Sequence, residues 1–402
     1  MMIKKQSGFT MVELLITMVV FVFVMVAGSQ IFSGLLTQFK QQSKIAETNI
    51  EGVIGLEMLR QDLEHVGYGL PWIIPAGVTY SESSSNNPSG LSSPAPSTMN
   101  DSPLAPRAVI SGNNVAYGGA NSIFTGSDYL VIKAVNIALD DASQRWTTLK
   151  MAPFSVPDNP RQWIPASENL ESTDRVIVIS PGATDTNARR LVDNGGTFYT
   201  TFGNVTNSPW PPTDNLETRL VYGINRTSDP APVRPFNRAD YFISRVNNIV
   251  PQPHCAPNTG VLVKAILNHG GAYDGVLPLL DCVADMQVVY SLDMNDDGTI
   301  RTASNADGST IADIDGGEGA TVAAVQATLN NTSDLRRRLR EIRVFILAHE
   351  GQRDVNYTYA SNLVIVGDPS LGRTFDLTVI PNWQNYRWKV YSISVNPINL
   401  LR

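Results

Sequence analysis

Between Leu14 and Phe39 the chain carries no Asp, Glu, Lys or Arg. As a helix these residues rise about 39 Å, more than the roughly 30 Å of a bilayer's hydrocarbon core. The run predicts one membrane-spanning segment, and a polypeptide tethered this way must fold the rest of its length to one side. Lys4 and Lys5 precede the run. Basic residues beside a first span stay in the cytoplasm, which sends the remaining chain outward. A secretory signal loses its apolar stretch on cleavage. Here the short basic peptide and Gly8 stand before the run, so cutting after Gly8 keeps the helix.

Glu13 sits at the start of this apolar stretch. An unpaired carboxylate inside a spanning helix costs about 2.5 kcal/mol or more, so it calls for a cationic partner. Cleavage after Gly8 frees the amine of Phe9, four residues earlier and on the same helix face. That ammonium would neutralise Glu13 within one chain or in an adjacent copy. The plainer reading, a glutamate snorkelling to the headgroups, leaves the spacing of Gly8, Phe9 and Glu13 as coincidence.

The stretch Gly8-Phe9-Thr10-Met11-Val12-Glu13-Leu14-Leu15 resembles the class III signal of type IV prepilins and type II secretion pseudopilins. The resemblance implies removal of residues 1–8 by a prepilin peptidase, N-methylation of Phe9, and use of Glu13 to align subunits during filament assembly. Many members carry a proline where this chain has Gln30, with Gly28 and Gly34 nearby.

Past Phe39 the pattern becomes amphipathic. Ile45, Ile50, Val53, Ile54, Leu59, Leu63 and Val66 recur at helical spacing against Lys40, Lys44, Glu47, Glu51, Arg60 and Glu64. The spanning helix, residues 9–39, is therefore predicted to continue through residues 40–66 and to end at Gly67-Tyr68-Gly69-Leu70-Pro71. Its outer apolar stripe has to be covered, most simply by a head packed onto it. A coiled-coil stalk is the alternative, weakened by Gly52, Gly55 and irregular heptads. The run from Leu59 to Gly69 resembles the helix exit of PilW-like minor pilins and of J-type minor pseudopilins. His65, in the last turn, reads as a partner of the helix dipole or solvent rather than a ligand.

Residues 67–402 read as an extracytoplasmic head. Within it, residues 81–106 are rich in Ser and Pro, cannot bury enough apolar area to order themselves, and predict a mobile surface loop. Beyond them β-branched and aromatic segments recur between turn residues, at 129–137, 175–180, 196–202, 218–224, 240–246, 261–267, 285–292, 342–348, 373–380 and 386–395. The fold class predicted is α+β: a long amino-terminal helix packed on a large, mainly antiparallel, β-rich head. Pro209, Pro211 and Pro212 mark a long connection and an insertion within that head. Segments 280–290 and 386–392 resemble the carboxy-terminal half of PilW-like minor pilins.

Cys255 and Cys282 are the 2 cysteines of the chain. On the exported side they predict one disulfide, worth roughly 3–4 kcal/mol in the chain-entropy view. His254, Cys255, His269 and Cys282, drawn instead as a zinc set, match no common zinc spacing. Asp293, Asn295, Asp297 and Thr299, with Gly298, place oxygen donors in the order that wraps a loop around Ca²⁺, which makes calcium the candidate cofactor. Ser304 stands where an EF-hand has its closing Glu, so a carboxylate such as Asp307, Asp313 or Asp315 would have to be borrowed. A plain acidic hairpin turn is the competing reading. The cluster Arg336, Arg337, Arg338, Arg340 and Arg343 reads as a solvated helix end rather than a phosphate or lipid contact.

A formal net charge of -7, with no basic stripe, excludes nucleic acid as a main partner. No Gly-x-Ser-x-Gly, His-Glu-x-x-His or phosphate-cradling loop is present, so no enzyme is expected. The resemblance implies a minor pilin of a type IV pilus, a bacterial inner-membrane subunit with its head in the periplasm, carried to the filament or cell surface. It would prime or cap the filament. Implied partners are membrane lipid, other minor pilins, the major pilin, the prepilin peptidase, the platform protein and a tip adhesin. A J-type minor pseudopilin of a type II secretion system is the alternative in the same family. An extracytoplasmic binding protein or adhesin anchored by a prepilin signal is the alternative from another class.

Overall fold

The computed structural model describes residues 10–83, 91–93, 96–114, 116–117, 126–152, 156–182, 188–245, 253–304, 310–311, 321–368 and 371–400. The fold is α+β: one long apolar helix followed by a large antiparallel β-rich head.

The helix Met11–Glu64 is 54 residues long. No proline precedes Pro71 to break it. It ends where Gly67 and Gly69 take φ values of +77° and +69°, a left-handed conformation that costs glycine nothing. Both are also pressed against the head: a Cβ on Gly69 would come within 2.6 Å of Val135. Leu59 and Leu63 share one helix face and, with Val66 just past the helix end, are fully buried. Each such side chain stabilises the packing by about 1.5–3 kcal/mol.

The central sheet is antiparallel throughout. In spatial order it runs Val109–Gly112, Tyr129–Ala134, Asn237–Ser244, Gly260–Leu267, Tyr273–Leu292, Leu339–Glu350 and Arg387–Val395. Tyr273–Leu292, at 20 residues, is long enough to change neighbours. Along one edge it pairs first with Gly260–Leu267 and finally with Arg301–Ser304. Between those partners Asp128 takes over: its N–H donates to Met286 O at 2.7 Å, and its carboxylate accepts from Val288 N–H at 2.8 Å. Asn237–Ser244 and Gly260–Leu267 are buried at every position, so both faces of the sheet are covered.

Residues 81–106, predicted as a surface loop, combine exposed positions such as Ser81 and 102–104 with buried anchors. Glu82 and Ser83 are buried, and Glu82 pairs with Lys133 at 2.7 Å and Arg238 at 3.3 Å. Asp101 pairs with Lys133 and Arg107, both at 2.6 Å. A Ser/Pro-rich stretch has little apolar area to bury, but its two carboxylates can be buried against cations of the sheet. Residues 84–90 and 94–95 lie outside the described residues.

The expected insertion separates two strands that are neighbours in the central sheet, since Ala134 pairs with Asn237. Its sheet is built on Trp146–Ala152, Thr218–Asn225 and Arg175–Ser180, and its core holds Leu149, Val176, Val178, Val205, Trp210 and Val221. A separate hairpin, Leu363–Asp368 with Leu371–Asp376, packs Val364, Val366 and Phe375 against Phe345, Leu347 and Trp388. Of the predicted strands, 196–202 shrinks to Thr200–Thr201, and 373–380 ends at Asp376 before a short 3₁₀ turn.

Candidate functional site: an apolar helix and its seat

Thr10 and Glu13 build the start of the helix. The Thr10 N–H and hydroxyl both donate to Glu13 Oε2, at 2.9 and 2.8 Å. The Glu13 N–H donates back to Thr10 Oγ1 at 3.3 Å. This is a capping box, which satisfies N–H groups that have no intrahelical acceptor. The Thr10-x-x-Glu13 pattern was present in the sequence, but reading Glu13 only as a charge in need of a cation misses it. Among the described residues, Glu13 Oε1 accepts no hydrogen bond. Gly8, Phe9 and the whole leader, 1–8, lie outside the described residues, and so does the expected pairing of Glu13 with the Phe9 amine.

From Thr10 through Lys40 every residue is exposed. Phe21, Phe23 and Phe39 are 64%, 70% and 71% exposed. So continuous an apolar surface requires lipid or other apolar helices around it. Among the described residues Met11–Ala46 is the one stretch of helix long and apolar enough to cross a membrane.

The outer part of the same helix is fixed to the head. Gly55 faces the strand Tyr273–Leu292 so closely that an added Cβ would lie 1.8 Å from Leu279 O. At Gly52 the nearest atom would be Leu280 Cδ1, at 2.9 Å. These glycines, which in sequence only weakened a coiled coil, let the helix backbone lie against the strand. One turn or more beyond, Asp62 accepts from Lys264 Nζ at 2.7 Å and from the Tyr241 hydroxyl. Lys264 and Tyr241 are opposite each other on adjacent strands, so two strands hold one helical carboxylate.

Cys255 and Cys282 form a disulfide, with Cα atoms 4.9 Å apart. His254 lies beside the two sulfurs, all three ligand atoms within 4.8 Å. Sulfurs bonded to each other are not thiolates, so the set drawn for zinc lacks its main ligands. His269, the fourth member of that set, bonds elsewhere, to Val233 N and Asn237 Oδ1. His349, which sequence did not single out, accepts from Ala256 N–H at 2.8 Å, and burial together with nearby His254 pushes its imidazole down to about 3.

In the acidic turn, Asp293 is buried. Its carboxylate accepts from Asp297 N–H at 3.1 Å, from Gly298 N–H at 3.2 Å and from Arg340 Nη2 at 2.9 Å. Asp297 accepts from Thr299 N–H at 2.6 Å and from Asn295 Nδ2 at 2.7 Å. The four predicted donors are thus gathered in one turn, with an arginine on its buried carboxylate. Ser304 lies on the strand Arg301–Ser304; Asp307, Asp313 and Asp315 lie outside the described residues. The basic cluster disperses onto separate partners. Arg337 pairs with Asp296 and Asp334, Arg343 with Asp368, and Arg336 stacks 3.7 Å over Trp72.

Residues 3–29 match the family model described as the prokaryotic N-terminal methylation motif. No curated protein and no solved structure matches the chain. The protein is therefore type IV prepilin-like at its amino terminus: a methylation-motif helix, apolar enough to anchor in a membrane, carrying a β-rich head.

Proposed function

We propose that the protein is a minor pilin of a type IV pilus. After removal of residues 1–8 by a prepilin peptidase it sits in the bacterial inner membrane, with the head on the periplasmic side. Its apolar helix then passes from lipid into the core of a filament built with other minor pilins, the major pilin and a platform protein. The observation that carries this reading is the contrast along one helix: residues 10–40 are exposed throughout, while Leu59 and Leu63, with Val66 just past the helix end, are wholly buried. A filament core and a bilayer are two apolar solvents for the same exposed surface, so exchanging one for the other loses little burial. The size of the head, residues 67–402, favours a position at the tip, beside a tip adhesin, where nothing has to stack above it.

Glu13 is the residue that would distinguish assembled from lone protein, because its carboxylate is costly in apolar surroundings until a partner neutralises it. Glu13→Ala should abolish piliation, or lower it at least about tenfold, while the protein still accumulates in membranes. Loss of protein secretion with normal pili would favour the J-type pseudopilin. Unchanged pili and secretion, with a head-dependent binding activity intact, would favour a membrane-anchored binding protein.

A further inference from the structure

The apolar run ends at Phe39, and the head begins almost at once. Asp354 accepts a hydrogen bond from the Gln41 side chain, and Gly351, at φ +65°, packs on Ile45, where an added Cβ would meet Cγ1 at 2.8 Å. From Phe39 to Gln41 a helix rises only about 3 Å, and from Phe39 to Ile45 about 9 Å. The polar layer outside a hydrocarbon core is about 5–7 Å deep on each side. With Leu35, Leu36 and Phe39 exposed at 59%, 45% and 71%, the core boundary has to lie near Phe39. A run longer than the core can meet this by tilting. The rim of the head is then level with the headgroups.

The chemistry of that rim fits the location. It is made by two loops, 351–361 and 377–387, tied together by Asp354 N–H to Asn385 O at 2.8 Å and by Arg353 Nη2 to Asn382 Oδ1 at 2.9 Å. Their charged residues are Arg353, Asp354 and Arg387. The aspartate is buried, accepting from Arg387 at 3.0 Å. Arg353 is exposed, as are Lys40 and Lys44 on the adjoining helix turn. On a chain of net charge -7, Arg353, Lys40 and Lys44 give this rim a surplus of positive charge, opposed by the exposed Asp376 next to loop 377–387. Between helix and rim lies a cleft of about 480 Å³, lined by Gly34, Thr37 and Gln38 from the apolar run and by Asn356 and Arg387 from the head. One wall thus belongs to the membrane segment and the other to the head. At the tip of loop 351–361, Val355 is 71% exposed.

We propose that this rim rests on the outer face of the bilayer, with Val355 at the headgroup boundary and Arg353, Lys40 and Lys44 meeting the phosphates of anionic lipid. The proposal rests on the membrane-inserted reading given above. Its consequence is that the membrane holds the head at a fixed height and tilt before assembly, and that leaving the bilayer breaks this contact. Each basic residue near an anionic surface adds roughly fivefold to the contact.

The test uses the full chain in vesicles of phosphatidylcholine with and without phosphatidylglycerol. Single spin labels are placed through Val355→Cys, Leu216→Cys and Phe21→Cys, and each is read for relaxation by nickel chelated to lipid headgroups and by oxygen dissolved in the hydrocarbon. The expected result is strong headgroup relaxation at 355, none at 216, on the exposed turn before the strand Thr218–Asn225, and oxygen relaxation at 21. With phosphatidylglycerol the signal at 355 should rise, and the combined Arg353→Glu and Lys44→Glu variant should remove that rise. If 355 behaves like 216 while 21 stays in hydrocarbon, the rim proposal is overturned and membrane insertion stands. If 21 is not in hydrocarbon, both fail. A 355 signal that requires high protein density overturns the proposal in favour of a second copy covering the rim.

Discussion

Asp62 of the long helix and Lys264 of the central sheet form an ion pair at 2.7 Å, closed over by the Tyr241 hydroxyl. The pair lies at the outer end of the helix, where Leu59, Leu63 and Val66 are buried, and it fixes how the helix is rotated against the sheet.

Removing one partner leaves the other charge largely buried. Asp62→Ala or Lys264→Ala should cost about 3–5 kcal/mol, and an apolar replacement of both should recover most of that. Denaturant midpoints of the full chain in detergent provide the measurement. Single substitutions within about 1 kcal/mol of the parent would show that apolar packing alone seats the helix.

Gly55 and Gly52 should respond differently to the same added methyl. At Gly55 it would collide with the Leu279 carbonyl, part of a strand backbone, whereas at Gly52 it would touch only the end of the Leu280 side chain. Gly55→Ala should therefore cost about 3 kcal/mol and Gly52→Ala about 1 kcal/mol or less. Similar losses from thermal unfolding of both variants would contradict the backbone contact.

Three buried groups contribute to the response to acid. Burial, with His254 nearby, lowers His349 to about 3, and burial with Arg234 and Arg175 lowers His269 to about 2. Below pH about 6.5 the unfolded chain takes up two protons that the folded chain refuses, so stability present above that pH is lost as pH falls. Asp285 acts in the opposite sense. Burial raises it to about 6 against the pull of Arg373, so its contribution is present below about pH 4 and is lost as pH rises through 6. Between pH 4 and 6 these groups together bind about one proton more in the unfolded chain, and contribute a fall in stability of about 1.4 kcal/mol per unit of acidification. Asp285→Asn removes the opposing carboxyl and should steepen this contribution to about 2.7 kcal/mol per unit. Equal slopes for parent and variant would contradict the assignment.

Calcium entering the turn at Asp293 has to compete with Arg340, which already neutralises the buried carboxylate. Arg340→Ala should raise calcium affinity at least about tenfold by removing a like charge next to the ion, and Asp293→Asn should abolish binding. Calorimetric titration measures both. Absence of heat in parent and variant alike would assign the segment to a plain acidic hairpin.

What the sequence made legible followed from periodicity and compartment. The charge-free run, the amphipathic continuation and the glycines at 67 and 69 gave the helix, whose described end at Glu64 falls two residues before the predicted Val66, and the two cysteines, read as exported, gave the disulfide. What it hid depended on partners distant in sequence. Glu82 and Asp101 look like loop residues until Lys133 and Arg238 are beside them. Tyr273–Leu292 was anticipated only from residue 285, because Gly275, Pro278 and Asp281 interrupt its first half. Trp146–Ala152 carries Thr147, Thr148 and Lys150 and offers only the short alternation of Leu149 and Met151 about Lys150, and its strand pairs with Thr218–Asn225. At the helix start the signal was local and available: Thr10, three residues before Glu13, is the cap.

The amino terminus has to be processed for the apolar helix to become the assembly element. Intact-mass analysis of the protein extracted from membranes and from sheared filaments tests this directly. The prediction is a chain that begins at Phe9, bears one added methyl group, and occurs in both fractions. A chain in either fraction that still carries residues 1–8 would contradict it.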